Sequence, residues 1–248
     1  MKIKILLTIL ILWISLPSFS QESAPKISGG FTYHNNFDLS LAASSGQFSG
    51  ALSWAHFYGI GKRKKFQVGY GIRFTSYSGS NQNYVTAPAE LTSGQTGPQV
   101  LFTEITPENY DTLFVTKAQQ NAINVTINLQ YSFSIKFDLG FNIDAAGITF
   151  GSRQTGKFMS SARSSAISET QSAKPTPFNA LLISDNDIGM LNSELYGRYW
   201  LTDKIALKAG LGFLFTEYTT DNKLVRDNDR WRNKSLMGLI GITYTPRK

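Results

Sequence analysis

Two imidazoles and no thiol bound the chemistry open to this 248-residue chain. The absence of cysteine excludes disulfides, thiolate metal sites, a cysteine nucleophile and a lipid-modified N-terminal cysteine. His34 and His56 would each need a nucleophile and an orienting acid within reach to support catalysis. Neither His34-Asn35-Asn36 nor Trp54-Ala55-His56-Phe57-Tyr58 supplies that neighbourhood, so no enzyme is expected. No glycine-rich loop leads from a strand into a helix, which removes nucleotide binding. Asp185-Asn186-Asp187 carries carboxylates that suit calcium, but the full twelve-residue calcium loop is missing. No metal and no cofactor is expected.

The charged residues that remain fall at regular intervals inside apolar runs. Asp38, Asp138, Asp144 and Glu194 alternate with apolar neighbours, and so do Arg73, Lys136, Arg198 and Lys208. Four acids and four bases on one face would cancel. An isolated buried charge costs several kcal/mol, so such groups must pair. Asp138, Arg198 and Lys208 each lie three residues from a short turn. The spacing predicts an Asp138–Arg198 pair, with Lys208 and Glu194 joining a network that also holds Arg73.

The elements that position these charges are strands. Period-two alternation dominates the chain. Ile123, Val125, Ile127, Leu129, Tyr131 and Phe133 alternate with Asn124, Thr126, Asn128, Gln130 and Ser132. Phe66, Val68, Tyr70, Ile72 and Phe74 alternate with Gln67, Gly69, Gly71, Arg73 and Thr75. The same rhythm runs through Ile135–Asp144, Leu191–Leu201, Ile205–Phe215 and Leu236–Tyr244, and more weakly through Ile27–Leu41 and Phe48–Ile60. Eight strands follow.

Charged residues make up 17% of the chain, against about a quarter in ordinary soluble domains. The apolar faces of the eight strands carry no Lys, Arg, Asp or Glu, and the opposite faces would make a poor water-facing surface: Ser49, Ala51, Ser53, Ala55, Phe57 and Gly59 on the second strand, and no charge at all on the fourth. Aromatics gather at strand ends, as rings do at the two interfaces of a membrane. The connections alternate in length. Ala42–Gln47, Gly79–Asn121, Gly151–Asp187 and Thr216–Ser235 fall at one end; Gly61–Lys65, Ser134 and Thr202–Lys204 at the other. Long loops on one side and short turns on the other mark an outer-membrane barrel with both termini in the periplasm.

The N-terminus agrees. Lys2 and Lys4 precede an apolar run from Ile5 to Leu16, and Ser18-Phe19-Ser20 leads into Gln21. That is the order of a secretory signal peptide, and the run is too short to span a bilayer. Residues 1–20 are expected to be cleaved, leaving the barrel as 21–248. Loss of Lys2 and Lys4 lowers the formal net charge from +7 to +5.

The stretch from Glu194 to Phe215, a strand, a tight turn and a strand, resembles the hairpins of small eight-stranded outer-membrane barrels of the outer-membrane-protein-A and X type. The final strand, Ser235–Thr245, resembles their assembly signal, although here the chain runs on through Thr245-Pro246-Arg247-Lys248. The resemblance implies an all-β, antiparallel, up-and-down transmembrane barrel of a Gram-negative cell envelope, with the barrel insertion machinery as its partner during assembly. It carries no catalytic residue across. Lipid-modifying barrels that resemble this shell pair histidine with serine or acids, and no serine stands two residues beyond His34 or His56.

The expected role is therefore structural or surface-interacting, exercised by three large loops above a lumen plugged by side chains. The alternative is a narrow pore for ions or small solutes; a weaker one is an outer-leaflet lipid-modifying enzyme. Arg226, Arg230, Arg232 and Lys234, with Trp231 among them, are candidate contacts for lipopolysaccharide phosphates. A solvated loop is the competing reading, because Asp221, Asp227 and Asp229 lie beside them. Lys62-Arg63-Lys64-Lys65 reads as a solvated turn, with inner-leaflet phosphates as the other option; it is too short for nucleic acid. In the segment Gly79–Asn121, the stretch 98–117 reads as a hairpin of Val100–Thr106 with Thr112–Lys117, extending the wall; two further spanning strands are the alternative. The Ser- and Ala-rich segment 151–187 reads as a loop or a short surface helix. A monomer is expected.

Overall fold

A computed structural model describes residues 33–94, 111–160, 169–182 and 186–246. The expected signal segment 1–20, the expected start of the first strand at 27–32 and the expected strand 100–106 lie outside the described residues. The described chain contains eleven strands: β1 (Tyr33–Ser44), β2 (Gln47–Ile60), β3 (Phe66–Thr86), β4 (Thr112–Ser132), β5 (Phe137–Phe150), β6 (Gln154–Met159), β7 (Thr170–Pro175), β8 (Phe178–Ala180), β9 (Leu191–Trp200), β10 (Ile205–Thr220) and β11 (Arg230–Tyr244). A five-residue helix, α1 (Ala89–Ser93), follows β3.

Eight strands close into an antiparallel ring, β1–β2–β3–β4–β5–β9–β10–β11 and back to β1. The closing ladder pairs Phe37 with Tyr244 and Ala43 with Gly238. Closure leaves the ring no unpaired edge. The described residues hold strands at the places of the eight expected spanning strands, the first from Tyr33 on, and several are longer than alternation alone marks. β3 and β4 run 21 residues each, pairing from Phe66–Tyr131 up to Val85–Thr112. β10 and β11 pair from Ile205–Tyr244 up to Thr219–Arg230.

The polarity of the ring is inverted relative to a soluble domain. Ile127 is 47% exposed and points outward, while Asn128 beside it is 4% exposed and points inward. Leu52, Ile72, Leu207 and Ile240 are exposed on the outer face; Arg73, Thr75, Asn124 and Arg198 are buried on the inner one. Inward glycines make room for large neighbours. A Cβ on Gly140 would stand 2.4 Å from the Tyr196 ring.

Alternation breaks where a bulge is needed. Thr126 pairs with Asp144 but Val125 pairs with Ala146, so Ala145 is the extra residue. A bulge shifts the side-chain phase by one. Before it Asp144 points in; after it Thr149 does. The carbonyl freed at Ala145 accepts from the Leu181 N–H at 2.8 Å.

At the long-loop end the wall changes. β3 and β11 pair directly through Thr86–Trp231 and Val85–Arg232, bypassing β1 and β2. On the other side β6 pairs with β4, β7 with β6, and β10 with β7, bypassing β5 and β9. The result is a second closed ring of six strands, β3–β4–β6–β7–β10–β11, stacked on the first. Ring diameter grows with strand number, so this upper ring is the narrower. Its interior holds Tyr84, Leu113, Val115, Phe158, Tyr218 and Trp231, all 3% exposed or less.

Four expectations are corrected. The first long-end connection is a two-residue turn, Ser45-Gly46, with Gly46 at φ +68°; β1 and β2 stop there because β3 and β11 close over them. The segment after β5 holds strands β6, β7 and β8 among its described residues, not a helix or plain loop. Residues 112–117 do extend the wall, but as the upper part of β4 itself and not as a separate short strand; the partner expected at 100–106 lies outside the described residues. Lys136 is not on an inner face: it sits exposed in the turn between β4 and β5.

Candidate functional site

The inner face of the eight-stranded ring assembles one chain of alternating charge. Arg73 of β3 bonds Asp144 of β5 at 2.5 Å and approaches Glu194 of β9 at 3.3 Å. Glu194 accepts from Lys208 of β10 at 2.7 Å. Lys208 lies 3.6 Å from Asp38 of β1, and Asp38 accepts from Arg198 of β9 at 2.8 Å. The order is Asp144, Arg73, Glu194, Lys208, Asp38, Arg198: three acids interleaved with three bases. Each side chain is 5% exposed or less.

Neutral groups complete the network. Asn142 accepts from Arg73 Nη1 at 2.7 Å and donates to Glu194 at 2.9 Å. Asn124 and the Asn192 N–H both donate to Asp144 Oδ2 at 2.8 Å. Thr243 donates to Asp38 Oδ1 at 2.5 Å. The Tyr196 ring lies under two cations, 4.1 Å from Lys208 Nζ and 4.7 Å from the Arg198 guanidinium carbon. Hydrogen bonds and cation–π contacts replace the water each ion lost, the condition for burying charge.

The sequence placed Arg73, Glu194, Lys208 and Arg198 together, and the structure brings them together. Asp138 differs. It is the cross-strand neighbour of Arg198 in register. Yet its Oδ2 accepts from Trp200 Nε1 at 2.6 Å and Gln130 Nε2 at 3.1 Å, while Arg198 reaches across to Asp38 and to Gln130 Oε1. A guanidinium on a long stem spans a narrow lumen more easily than it folds back on its own wall. Asp38 was legible as an inner acid, but not as the partner. With Lys136 outside, the inner face of the eight-stranded ring holds four acids and three bases among the described residues.

Above the network sits an apolar seal. Tyr84 and Tyr218 meet edge to face at 5.0 Å, and Phe158 and Trp231 at 5.5 Å. Thr216 donates to Tyr84 Oη at 3.2 Å, and Trp231 Nε1 donates to Thr220 Oγ1 at 3.2 Å. Below the network, His34 stacks on Phe57 at 5.2 Å, and Phe57 and Trp200 are buried.

A second ionic cluster lies on the outward side of the upper ring. Glu217 receives Arg230 Nε at 2.8 Å and Arg232 Nη2 at 2.9 Å. Both guanidiniums also donate to the Asp187 carbonyl. Among the four candidate lipopolysaccharide contacts, Arg226 and Lys234 are exposed, whereas Arg232 is 1% exposed and Arg230 is engaged by Glu217. Burial takes Arg232 out of the set of exposed contacts, while Arg230 stays 25% exposed but is held by Glu217. Asp187 does other work than ligating calcium: its Oδ1 accepts from the Leu182 N–H at 2.7 Å. Asp185 lies outside the described residues. Among the described residues no group of three or more His, Asp or Glu converges on a metal-sized site.

His56 faces outward near the short-turn end. Its Nδ1 lies 2.8 Å from Asn35 Oδ1, which also accepts from Trp54 Nε1 at 3.2 Å.

No family model and no curated protein matches the chain. Among solved structures, Neisserial surface protein A aligns over 87% of this chain and 99% of its own, at 9% identity and a TM-score of 0.37. A major outer membrane protein from Thermus thermophilus aligns over 86% and 98%, at 10% identity and a TM-score of 0.36. A Pseudomonas aeruginosa FadL homologue aligns over 88% and 76%, at 10% identity and a TM-score of 0.23. At these scores the strand pairings, not the likenesses, define the ring.

Proposed function

We propose that this chain is an integral outer-membrane β-barrel protein that acts through its surface head as a structural or surface-interaction protein, with a closed lumen. The observation that carries the reading is the inversion of the wall: an apolar outer belt around a buried, ionic interior. On β10 the outward row runs from Ile205 to Phe215. Ten residue steps cover about 34 Å along a strand, or roughly 26 Å of height at the usual tilt. An outer-membrane barrel needs an apolar band about 25 Å tall.

In this reading residues 1–20 are the cleaved signal, both ends of the barrel and the short turns face the periplasm, and the six-stranded ring stands outside the cell. A folded outer head of this kind offers partners loops held on a rigid scaffold. The ionic network, with the apolar seal above it and the buried Phe57 and Trp200 below it, argues against a pore. A monomer and a non-catalytic role belong to the same proposal, since His56 is held by Asn35 among aromatic rings. The insertion machinery is the partner during assembly, and lipopolysaccharide phosphates are the partner of Arg226 and Lys234. No nucleic-acid partner is proposed.

The test is conductance. Purified protein refolded into planar bilayers should give no stepwise current, while protease protection shows that it has inserted. Steady single-channel steps from the inserted protein would replace the closed-lumen reading with the narrow pore.

A further inference from the structure

Charge is distributed unevenly between the two ends of the ring. The three short turns carry Lys62, Arg63, Lys64, Lys65, Lys136 and Lys204 against a single acid, Asp203. Beyond the opposite rim the described residues mix both signs, as in Arg153–Asp221, Lys157–Glu169 and Lys223–Asp227. Four of the six turn cations lie in one turn, between β2 and β3. There Lys64 adopts φ +51°, and its side chain folds back against Gly59, where an added Cβ would stand 2.9 Å from it. Lys62, Arg63 and Lys65 stay exposed and form no ion pair with any described residue.

The outer face directly above this turn is unlike the rest of the belt. Tyr33, Tyr58 and Tyr70 are exposed there. His56 lies among them, with ring centroids 4.7 Å from Tyr58, 5.6 Å from Tyr33 and 5.7 Å from Tyr70. Asn35 joins them through His56 and Trp54. Among the described residues of the eight ring strands, Asn35 and His56 are the only amide and imidazole that face outward between this turn and mid-belt. Polar groups are costly at mid-bilayer, but an ester and headgroup layer can bond them. Hydroxyl-bearing rings prefer that same layer.

Resting on the membrane reading above, we propose that β1, β2 and β3 form a site for an anionic phospholipid of the inner leaflet, with Lys62, Arg63 and Lys65 on its phosphate and the Tyr33, His56, Tyr58 and Tyr70 cluster against its glycerol and ester region. Charge complementarity selects the ligand, and the adjoining aromatic wall selects a lipid over a free anion. A basic cluster attracts anionic lipid by about fivefold for each cation close to the surface.

The experiment is native mass spectrometry of the full chain released from vesicles that contain equal phosphatidylglycerol and phosphatidylcholine. Wild type should retain phosphatidylglycerol over phosphatidylcholine by about tenfold or more. The turn variant K62Q/R63Q/K65Q should lose that preference, while K157Q/K174Q/K223Q at the opposite end keeps it. An unchanged preference in the turn variant, an equal loss in the other variant, or displacement of the lipid by inorganic phosphate would each overturn the site. Failure of the wild type to enter vesicles at all would instead overturn the membrane reading, and the site with it.

Discussion

Arg198 Nη2 donates to Asp38 Oδ2 at 2.8 Å across the lumen, although the residue facing Arg198 on the adjacent strand is Asp138. β1, which carries Asp38, pairs with β2 and β11 and not with β9. The contact therefore staples opposite walls. A staple across a closed ring resists opening at any one ladder, where a pair on neighbouring strands would only reinforce a ladder that exists already.

The first prediction separates these two partners. Arg198→Ala should destabilise the barrel by about 3–5 kcal/mol, because it leaves Asp38 buried with less compensation. In double-mutant cycles by urea unfolding, Arg198 and Asp38 should couple by more than about 1 kcal/mol, and Arg198 and Asp138 by clearly less. Equal coupling would return Asp138 to the pair.

The upper ring should be breakable on its own. Trp231 is fully buried against Phe158. Trp231→Ala should cost about 3–5 kcal/mol. The loss falls in the head, so externally added protease should cut the variant above the rim while the barrel strands stay protected. Cleavage within β2 or β9 would show that the two rings do not behave as separate layers.

The four candidate lipopolysaccharide contacts should divide into two kinds. Glu217→Gln should lower stability by about 3 kcal/mol, since it leaves the buried Arg232 with no carboxylate, and Arg232→Gln by about 2 kcal/mol, since Glu217 then keeps only Arg230. Arg226→Gln and Lys234→Gln should leave stability within about 0.5 kcal/mol and instead weaken lipopolysaccharide binding. The opposite assortment, with Arg232 tolerant of change, would mean that the head opens in solution.

Much of this architecture was legible because a strand's two faces are written in strict alternation. Ile127 out and Asn128 in follow from period two, and so does the inward row of Arg73, Glu194, Arg198 and Lys208. Register counted from the short turns also set Asp138 opposite Arg198 correctly. What alternation does not encode is distance across a lumen, so the Asp38 partner was invisible. The six-stranded ring was missed for a different reason. Gln154–Met159 and Thr170–Pro175 are six residues each, with Thr, Ser, Gly and Lys where an apolar row would be. Their strand character comes from edges offered by β4 and β10, a tertiary effect that overrides weak local preference.

The inverted wall is tested most directly along β4, and the absence of cysteine makes single spin-labelled cysteines possible at every position from Ala122 to Tyr131. In protein refolded into vesicles, labels at 123, 125, 127, 129 and 131 should collide readily with oxygen dissolved in lipid and poorly with a water-soluble nickel complex, while labels at the even positions collide poorly with both. Odd positions shielded from lipid-borne oxygen, with even positions open to the nickel complex, would contradict the account.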